Sequence, residues 1–170
     1  MTSVKGLFNA WKKVCQCMDK YGTPILGANE EATRYALIDP ILRALGWEVD
    51  NPRYVRVECC QDCGGKPDYA LLKRGKPVVY VEAKKWGTIS SIKKLNNPFS
   101  TGKLDQLKNY CNSNSVKIGA FSDGGSWYIF GFSRGMTPKI IAFIDAKNAG
   151  RPDIKQLLHI SREVTYKLVP

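Results

Sequence analysis

Two acidic residues and a lysine lie on consecutive short segments of the sequence that have the pattern of a β-hairpin. Asp68 stands at the start of the first segment, and Glu82 and Lys84 stand at the end of the second. Because alternate side chains of an extended strand share a face, Glu82 and Lys84 point the same way, and the three groups can meet at one place. Such a set offers oxygen ligands to a hard divalent cation and an ammonium group to hold an attacking water or a developing phosphate charge. The pattern therefore indicates a metal-dependent phosphodiesterase.

The chain of 170 residues carries a net charge of +11, and the excess is concentrated around these residues. Nine lysine and arginine residues occupy positions 73–108, against the two acids Glu82 and Asp105. A positive field around a site that itself contains acids favours binding of a phosphate backbone followed by capture of a metal ion. The composition thus predicts a nucleic-acid partner. The basic residues that we expect to contact its backbone are Arg56, Lys66 and Lys85.

The hydrophobic periodicity changes along the chain from helical to strand-like and predicts an α/β fold. Apolar residues at three- and four-residue steps predict an N-terminal amphipathic helix that ends near Gly22, and Asn29 can cap a second helix that restarts or kinks at Pro40. Short segments joined by tight turns then predict an antiparallel meander, and Ser122-Asp-Gly-Gly125 predicts a further hairpin. The order α-α-β-β-β-α-β-β-β-α gives a mixed central sheet flanked by helices. The predicted strands cover residues 54–58, 67–72, 78–83, 117–121, 126–132 and 139–144, and the later helices cover residues 103–111 and 153–160.

The length favours a single domain that spans residues 1–170, since a chain of this size can bury a core of its own. Within it, residues 1–25 form a helical extension, residues 26–145 form the core, and residues 146–170 form a C-terminal helix and tail. The apolar face of the extension is expected to pack on the domain.

Three polar residues outside the hairpin are further candidates for the site. Glu31 lies in the first turn of the second predicted helix. Gln106 and Tyr110 are four residues apart on the helix that follows the meander, and hence lie on one face of it. A glutamine amide and a phenol at these positions could contact the acids, the lysine or the nucleic acid.

Taken in order, these motifs resemble those of the PD-(D/E)XK nuclease superfamily. The order is particularly similar to the nuclease domain of type I restriction enzyme R subunits and to RecB-like nucleases, and it covers about three quarters of the chain. The motifs that carry the resemblance are Glu31, Asp39-Pro-Ile-Leu-Arg-Ala-Leu-Gly-Trp47, Gly65-Lys-Pro-Asp68, Val81-Glu-Ala-Lys84, Gln106-x-x-x-Tyr110 and Phe121-Ser-Asp-Gly-Gly-Ser-Trp127.

The resemblance implies a restriction-endonuclease-like core and Mg²⁺ as the cofactor, for which Mn²⁺ can substitute. By this likeness Asp68 and Glu82 are metal-binding carboxylates, and Glu31 is the helix acid that completes the metal site. Lys84 is the catalytic lysine. Gln106 and Tyr110 match the motif of RecB-like members and would orient Lys84 or the scissile phosphate. The implied reaction is hydrolysis of DNA phosphodiester bonds by a nuclease module, which suits a virus or mobile element because no motor motif is present.

The cysteines depart from the family pattern. Cys60 and Cys63 have the spacing of zinc ligands, and Cys59 stands beside them. A second Cys-x-x-Cys is missing, and the positions do not match those of nucleases that carry an iron–sulfur cluster. The sequence therefore does not favour structural zinc or an iron–sulfur cluster at these residues.

The partner, the compartment and the alternative function follow from the same observations. The N-terminus lacks a signal-peptide core and no apolar run has spanning length, which predicts a cytoplasmic protein with no membrane partner. In an infected cell this would be the host cytoplasm. A homodimer would permit cuts in both strands of DNA. The alternative to a nuclease is a catalytically weak or silent DNA-binding module on the same fold.

Overall fold

The structure is a computed structural model that describes residues 3–58, 66–89, 104–133, 138–146 and 148–168. Its helices in chain order are α1 (Val4–Leu26), α2 (Glu30–Thr33), α3 (Asp39–Ala44), α4 (Asp105–Ser113), α5 (Arg151–Ile154) and α6 (Arg162–Leu168). A π-helical turn, Arg34–Ile38, joins α2 to α3, and a 3₁₀ helix, Lys155–Ile160, precedes α6. The strands are β1 (Val55–Val57), β2 (Tyr69–Lys73), β3 (Lys76–Ala83), β4 (Ile118–Ser122), β5 (Ser126–Gly131) and β6 (Lys139–Asp145).

The six strands form one mixed sheet in the order β1-β2-β3-β4-β5-β6. Strands β3 and β4 are parallel, and every other neighbouring pair is antiparallel. The parallel pair requires a crossover between the two strands, and α4 belongs to this connection. The predicted α/β architecture, a meander and a later hairpin in a mixed sheet flanked by helices, is confirmed.

Alternation along β3 divides the sheet into two faces with separate cores. Val79, Val81 and Ala83 face the larger core, which α1, the π-helical turn, α3 and the C-terminal helices cover. Tyr80 faces the smaller core under α4. Glu82 lies two residues beyond Tyr80 and therefore belongs to the α4 side of the sheet. The alternation of side chains along β3 thus decides which side of the sheet carries Glu82.

Helix α1 packs its apolar stripe into the larger core. Leu7, Trp11 and Val14 are buried there, as the helical period predicts. Its regular turns break at Gly22, within the predicted end at residues 21–24, because the backbone there is kinked at φ 53° and ψ −164°, and helical backbone then resumes as far as Leu26. This positive φ suits glycine, which lacks the Cβ that would clash there.

The π-helical turn between α2 and α3 coincides with the predicted restart at Pro40. Proline has no N–H to donate to the carbonyl of Ala36, and its ring crowds that carbonyl. The N–H of Asp39 instead bonds the carbonyl of Arg34, five residues back, which widens the helix. Such widened turns are common at functional sites, and this one begins at a residue that reaches the candidate site.

The C-terminus differs from the predicted helix and tail. Residues 162–168 form α6, which the sequence analysis assigned to the tail. Tyr166 anchors this helix to the sheet because its hydroxyl donates to the carbonyl of Leu72 at 2.8 Å, and Lys73 Nζ donates to the carbonyl of Tyr166 at 2.6 Å. These long-range bonds have no local sequence signal, which is why the periodicity did not reveal the helix.

Candidate active site

Asp68, Glu82 and Lys84 come together where β3 ends beside the start of β2. Glu82 is buried, with 4% of its surface exposed. The backbone N–H of Lys84 donates to the carbonyl of Ser122 at 2.9 Å, so that the chain stays aligned with β4 beyond the last residue of β3. Lys84 Nζ bonds Glu82 Oε1 at 2.5 Å. The strand alternation therefore puts both side chains on one face, as predicted.

Asp68 is tied to β3 by its own carboxylate. Its Oδ2 accepts the backbone N–H of Ala83 at 2.7 Å. Its other oxygen, Oδ1, lies 3.7 Å from a terminal nitrogen of Arg34. The two oxygens thus have different surroundings: Oδ2 is fixed by the backbone of β3, and Oδ1 faces the guanidinium of Arg34.

Lys84 lies among acids that keep it charged. Its Nζ is 3.9 Å from Glu30 Oε2, in addition to its bond with Glu82. Desolvation alone would lower the pKa of Lys84, but the hydrogen bond to Glu82 and the charges of Glu82, Glu30 and Asp68 raise it above its ordinary value. At neutral pH the side chain is therefore an ammonium that donates hydrogen bonds and does not act as a base.

The helix acid at the site is Glu30, whereas the sequence analysis assigned this position to Glu31. Glu31 is exposed on the same side as Tyr35, which is 78% exposed. Glu30 shares its face with Thr33 and Leu37, and both of these are fully buried. The helix phase is set by those buried residues, and it turns Glu30 towards Lys84. Burial, together with the charge of Asp68, raises the pKa of Glu30, and Lys84 opposes this shift.

Thr33 holds the face of α2 that carries Glu30 against the end of β3. Its hydroxyl donates to the carbonyl of Leu26 at 2.8 Å and accepts the backbone N–H of Trp86 at 3.0 Å. Trp86 lies two residues after Lys84. The side chain of Thr33 therefore connects the end of α1, helix α2 and the segment that follows β3. It was missed because a threonine within a helix has no pattern that distinguishes it from any other.

Replacing Thr33 by valine is expected to lower the free energy of unfolding by about 2 kcal/mol. Valine keeps the shape but leaves two buried backbone groups without this partner, and each such loss costs about 1–3 kcal/mol when other partners are lacking. Urea denaturation measures the effect. Thr33→Ser, which keeps the hydroxyl, should recover most of the loss, and equal losses in the two variants would show that shape and not the hydroxyl matters.

Arg34 is the second residue that the sequence analysis missed. It lies on the same face of the helix as Glu30, and it contacts both Asp68 and Glu58. The available signal was its spacing of four residues from Glu30, which brings one acid and one base to the same place on a helix.

The two residues of the Gln-x-x-x-Tyr motif have different positions. Tyr110 is buried, and burial followed by the charges of Glu82 and Asp68 raises the pKa of its phenol, so that both acids act on it electrostatically. The phenol oxygen also accepts the backbone N–H of Lys66. Gln106 is exposed. The structure therefore brings Tyr110 to the site and leaves Gln106 on the surface of α4.

The three expected backbone-binding residues are all exposed, but they do not share one face. Arg56 pairs with Ala70 in the register of β1 and β2, so it lies on the α4 side of the sheet together with Glu82. Lys66 lies two residues before Asp68. Lys85 follows Lys84 and alternates to the opposite side. Arg56 and Lys66 are thus the better placed of the three to flank the acids.

The protonation of Glu82 should make stability depend on pH. Burial, reinforced by Asp68 and Glu30 and opposed by Lys84, raises the pKa of Glu82 from its ordinary value of 4.5 to about 6. Between these values the folded protein holds a proton that the unfolded chain releases, so the contribution of Glu82 to stability falls as pH rises from 4.5 to 6. Metal-free wild type should therefore lose stability relative to Glu82→Gln over this range.

Urea denaturation at several pH values between 4.5 and 7 measures this difference. Glu31→Gln removes one exposed negative charge from the same region and serves as the control. Curves for wild type and Glu82→Gln that run parallel over this range would contradict the assigned environment of Glu82.

The donor set fits a hard divalent cation. Among the described residues, no three acidic, histidine or cysteine side chains stand ready as a complete metal site. Mg²⁺ needs only one or two carboxylates, because water and substrate phosphate supply its other ligands. Asp68 and Glu82 meet that requirement. Burial, followed by the charges of Asp68 and Glu30, raises the pKa of Glu82, and a bound cation would compensate this buried negative charge. The cysteine hypothesis concerns Cys59, Cys60 and Cys63, which lie outside the described residues.

A mixed sheet that carries two acids and a lysine at adjoining strand ends defines a restriction-endonuclease-like domain. The sequence model of the family described as the type I restriction enzyme R protein N terminus matches residues 55–138, which include β1 to β5 and all of Asp68, Glu82 and Lys84. The chain is thus similar to the N terminus of type I restriction enzyme R proteins, and the resemblance to type I restriction enzyme R subunits stated from the sequence is confirmed. This indicates a nuclease-related function.

The fold is also found in a solved structure. The chain is similar to the protein in a cryo-electron microscopy structure of a DrdV–DNA complex, with 15% sequence identity and a TM-score of 0.55. The similarity covers 93% of this chain and 14% of that one, so this chain corresponds to a small part of the larger protein. No sequence among the curated proteins matches it. Within the part of the chain that the structure describes, no helix combines the length and apolarity needed to cross a bilayer.

Proposed function

We propose that this protein is a nuclease that hydrolyses DNA phosphodiester bonds with the help of Mg²⁺ or Mn²⁺. The single observation that carries the proposal is the meeting of Asp68, Glu82 and Lys84 at the end of β3, with Glu30 Oε2 3.9 Å from the lysine Nζ. A pure binding surface has little use for a buried acid, which costs free energy unless its charge is compensated. The family similarity and the net charge of +11 support the same conclusion.

In the proposed reaction, water attacks a backbone phosphorus in line with the leaving oxygen. Asp68 and Glu82 would hold the cation, which supplies Lewis-acid stabilisation of the phosphoryl charge and a more acidic water. Lys84 donates hydrogen bonds to the attacking water or to a phosphate oxygen, since its ammonium stays charged at neutral pH. Glu82 and Glu30 both pair with that ammonium, which keeps it aligned as the charge on the phosphate grows.

DNA is the proposed substrate. The similar domain of known structure belongs to a protein bound to DNA, and the exposed Arg56 and Lys66 beside the site suit a phosphate backbone. Exposed lysine and arginine residues that contact DNA phosphates add affinity for DNA that depends on salt and not on the DNA sequence. A cytoplasmic location and a homodimer that cuts both strands are part of the proposal.

Cleavage assays with linear, circular and single-stranded DNA test the proposal. The wild type is expected to cut at least one of these with Mg²⁺ or Mn²⁺ and to stop when the metal is chelated. Binding to DNA without cleavage in either metal would favour the binding-module alternative. Cleavage that survives in both Asp68→Ala and Lys84→Ala would show that the active site lies elsewhere.

A further inference from the structure

Arg34 is a second cation at the candidate site, and its side chain is held on several sides. Its guanidinium carbon lies 4.9 Å from the centre of the Tyr69 ring, and its Nε lies 3.5 Å from the Tyr69 hydroxyl. That hydroxyl donates to Asp39 Oδ1 at 2.7 Å. One terminal nitrogen of Arg34 lies 3.1 Å from Glu58 Oε1 and 3.7 Å from Asp68 Oδ1. The side chains of Arg34 and Asp68 are each only 13% exposed, so their contact is largely shielded from water, whereas Glu58 is 63% exposed.

These contacts fix the carboxylate of Asp68. The other terminal nitrogen of Arg34 lies 3.5 Å from the backbone carbonyl of Asp68, so the guanidinium contacts both the main chain and the side chain of this residue. Because Oδ2 accepts the N–H of Ala83, rotation of the carboxylate is limited, and Oδ1 is the oxygen left to face a cation. Arg34 stands in front of that oxygen.

We propose that Arg34 is a positioning residue that orients Asp68, carries its counter-charge when no divalent cation is bound, and thereby weakens and sets the affinity for that cation. This inference rests on the proposed function, which supplies the cation site at Asp68. A positive charge within a few ångströms of Oδ1 repels an incoming divalent ion, and burial of the guanidinium reduces the screening of this repulsion. Arg34 therefore keeps the carboxylate of Asp68 oriented but lowers the affinity of the site for the divalent cation.

Calorimetric titration of Mn²⁺ into the metal-free protein tests the proposal. Arg34→Met, which keeps the length of the side chain without its charge, should bind Mn²⁺ about tenfold more tightly than wild type. Arg34→Lys keeps the charge and should stay within about threefold of wild type. A merely structural role would leave Arg34→Met with equal or weaker affinity.

The chain offers a matched control in Arg162. This arginine also pairs with a glutamate, Glu48, at 2.7 Å and stacks over a tyrosine ring, with 3.9 Å between its guanidinium carbon and the centre of Tyr54. Arg162→Met thus removes the same kinds of contact without touching Asp68. It should leave the affinity for Mn²⁺ unchanged.

A second measurement does not use metal. Arg34→Met should lower the thermal midpoint of the metal-free protein by about 3 °C or more, and by clearly less when Asp68 is already asparagine. Arg162→Met should lower the midpoint equally in both backgrounds. Equal losses for Arg34→Met in the two backgrounds would overturn its link to Asp68.

The outcomes separate the inference from the proposed function. If wild type and Asp68→Asn take up Mn²⁺ equally, the proposed cation site is absent, and the inference fails with it. If wild type binds Mn²⁺ through Asp68 but Arg34→Met binds it no more tightly, the inference alone is overturned. Tighter binding by Arg34→Met, with Arg162→Met unchanged, supports it.

Discussion

Replacing Asp68 by asparagine is expected to slow DNA cleavage by about a thousandfold or more. The change removes one of the two carboxylates proposed to hold the cation. Stabilisation of the phosphoryl charge by such an ion contributes several kcal/mol. Each 1.36 kcal/mol of transition-state stabilisation corresponds to about tenfold in rate. The asparagine oxygen can still accept the N–H of Ala83, so the link between β2 and β3 should survive. Single-turnover rates at saturating Mg²⁺ measure the loss.

Asp50→Asn is the matched control for this substitution. Asp50 is also paired with an arginine, Arg43, at 3.0 Å, but its side chain is 84% exposed. The control should cut DNA at the wild-type rate. The assigned role of Asp68 would be refuted if Asp68→Asn stayed within about tenfold of wild type while folded. Mn²⁺ titration adds a second readout, since Asp68→Asn should also lose most of its cation uptake.

The central hairpin was predictable because its geometry is local. Side chains alternate in β3 with a period of two, and a tight turn fixes the pairing of β2 with β3. Residue types alone therefore brought Asp68, Glu82 and Lys84 to one end of the sheet. The later hairpin at Ser122-Asp-Gly-Gly125 was predictable for the same reason, since Asp123 accepts the N–H of Ser126 within the turn.

The choice between Glu30 and Glu31 could not be made from local pattern. Both residues suit the first turn of a helix, where acids are favoured by the helix dipole. What selects Glu30 is the burial of Thr33 and Leu37, and that burial depends on the packing of the helix on the sheet. The hydrogen bond from the backbone N–H of Trp86 to the hydroxyl of Thr33 joins residues 53 positions apart. Hydrophobic periodicity cannot predict a contact between residues so far apart in the sequence.

The Gln-x-x-x-Tyr motif shows the same limit. Spacing placed Gln106 and Tyr110 on one helical face, yet only Tyr110 is buried. The buried residues of this helix are Leu107, Tyr110 and Cys111, so Gln106 lies beside the buried face and not on it. The rotation of the helix about its own axis, which decides this, is set by packing in the smaller core. Tyr80 and Tyr110 pack edge to face in that core, with ring centres 6.4 Å apart.

Replacing Lys84 by methionine is expected to slow cleavage by about a hundredfold to a thousandfold while cation binding is kept. Loss of one preorganised donor to the developing phosphate charge has a cost of this order. Lys84 Nζ bonds Glu82 in the metal-free protein and therefore competes with a cation for that carboxylate. Lys84→Met should thus bind Mn²⁺ at least as tightly as wild type, in contrast to Asp68→Asn, which should lose both rate and binding.

Lys85 provides the control because it is the next residue and also a lysine, but it is exposed. Its side chain alternates to the opposite side of the chain from that of Lys84. If Lys85 contacts only the DNA backbone, Lys85→Met should raise KM a few-fold and leave kcat unchanged, since it removes binding that is equal in the ground and transition states. Equal losses of kcat in the two lysine variants would mean that general positive charge, and not the position of Lys84 between Glu82 and Glu30, assists the reaction. A fall in kcat confined to Lys84→Met, with Mn²⁺ binding retained, would assign the catalytic ammonium to Lys84 alone.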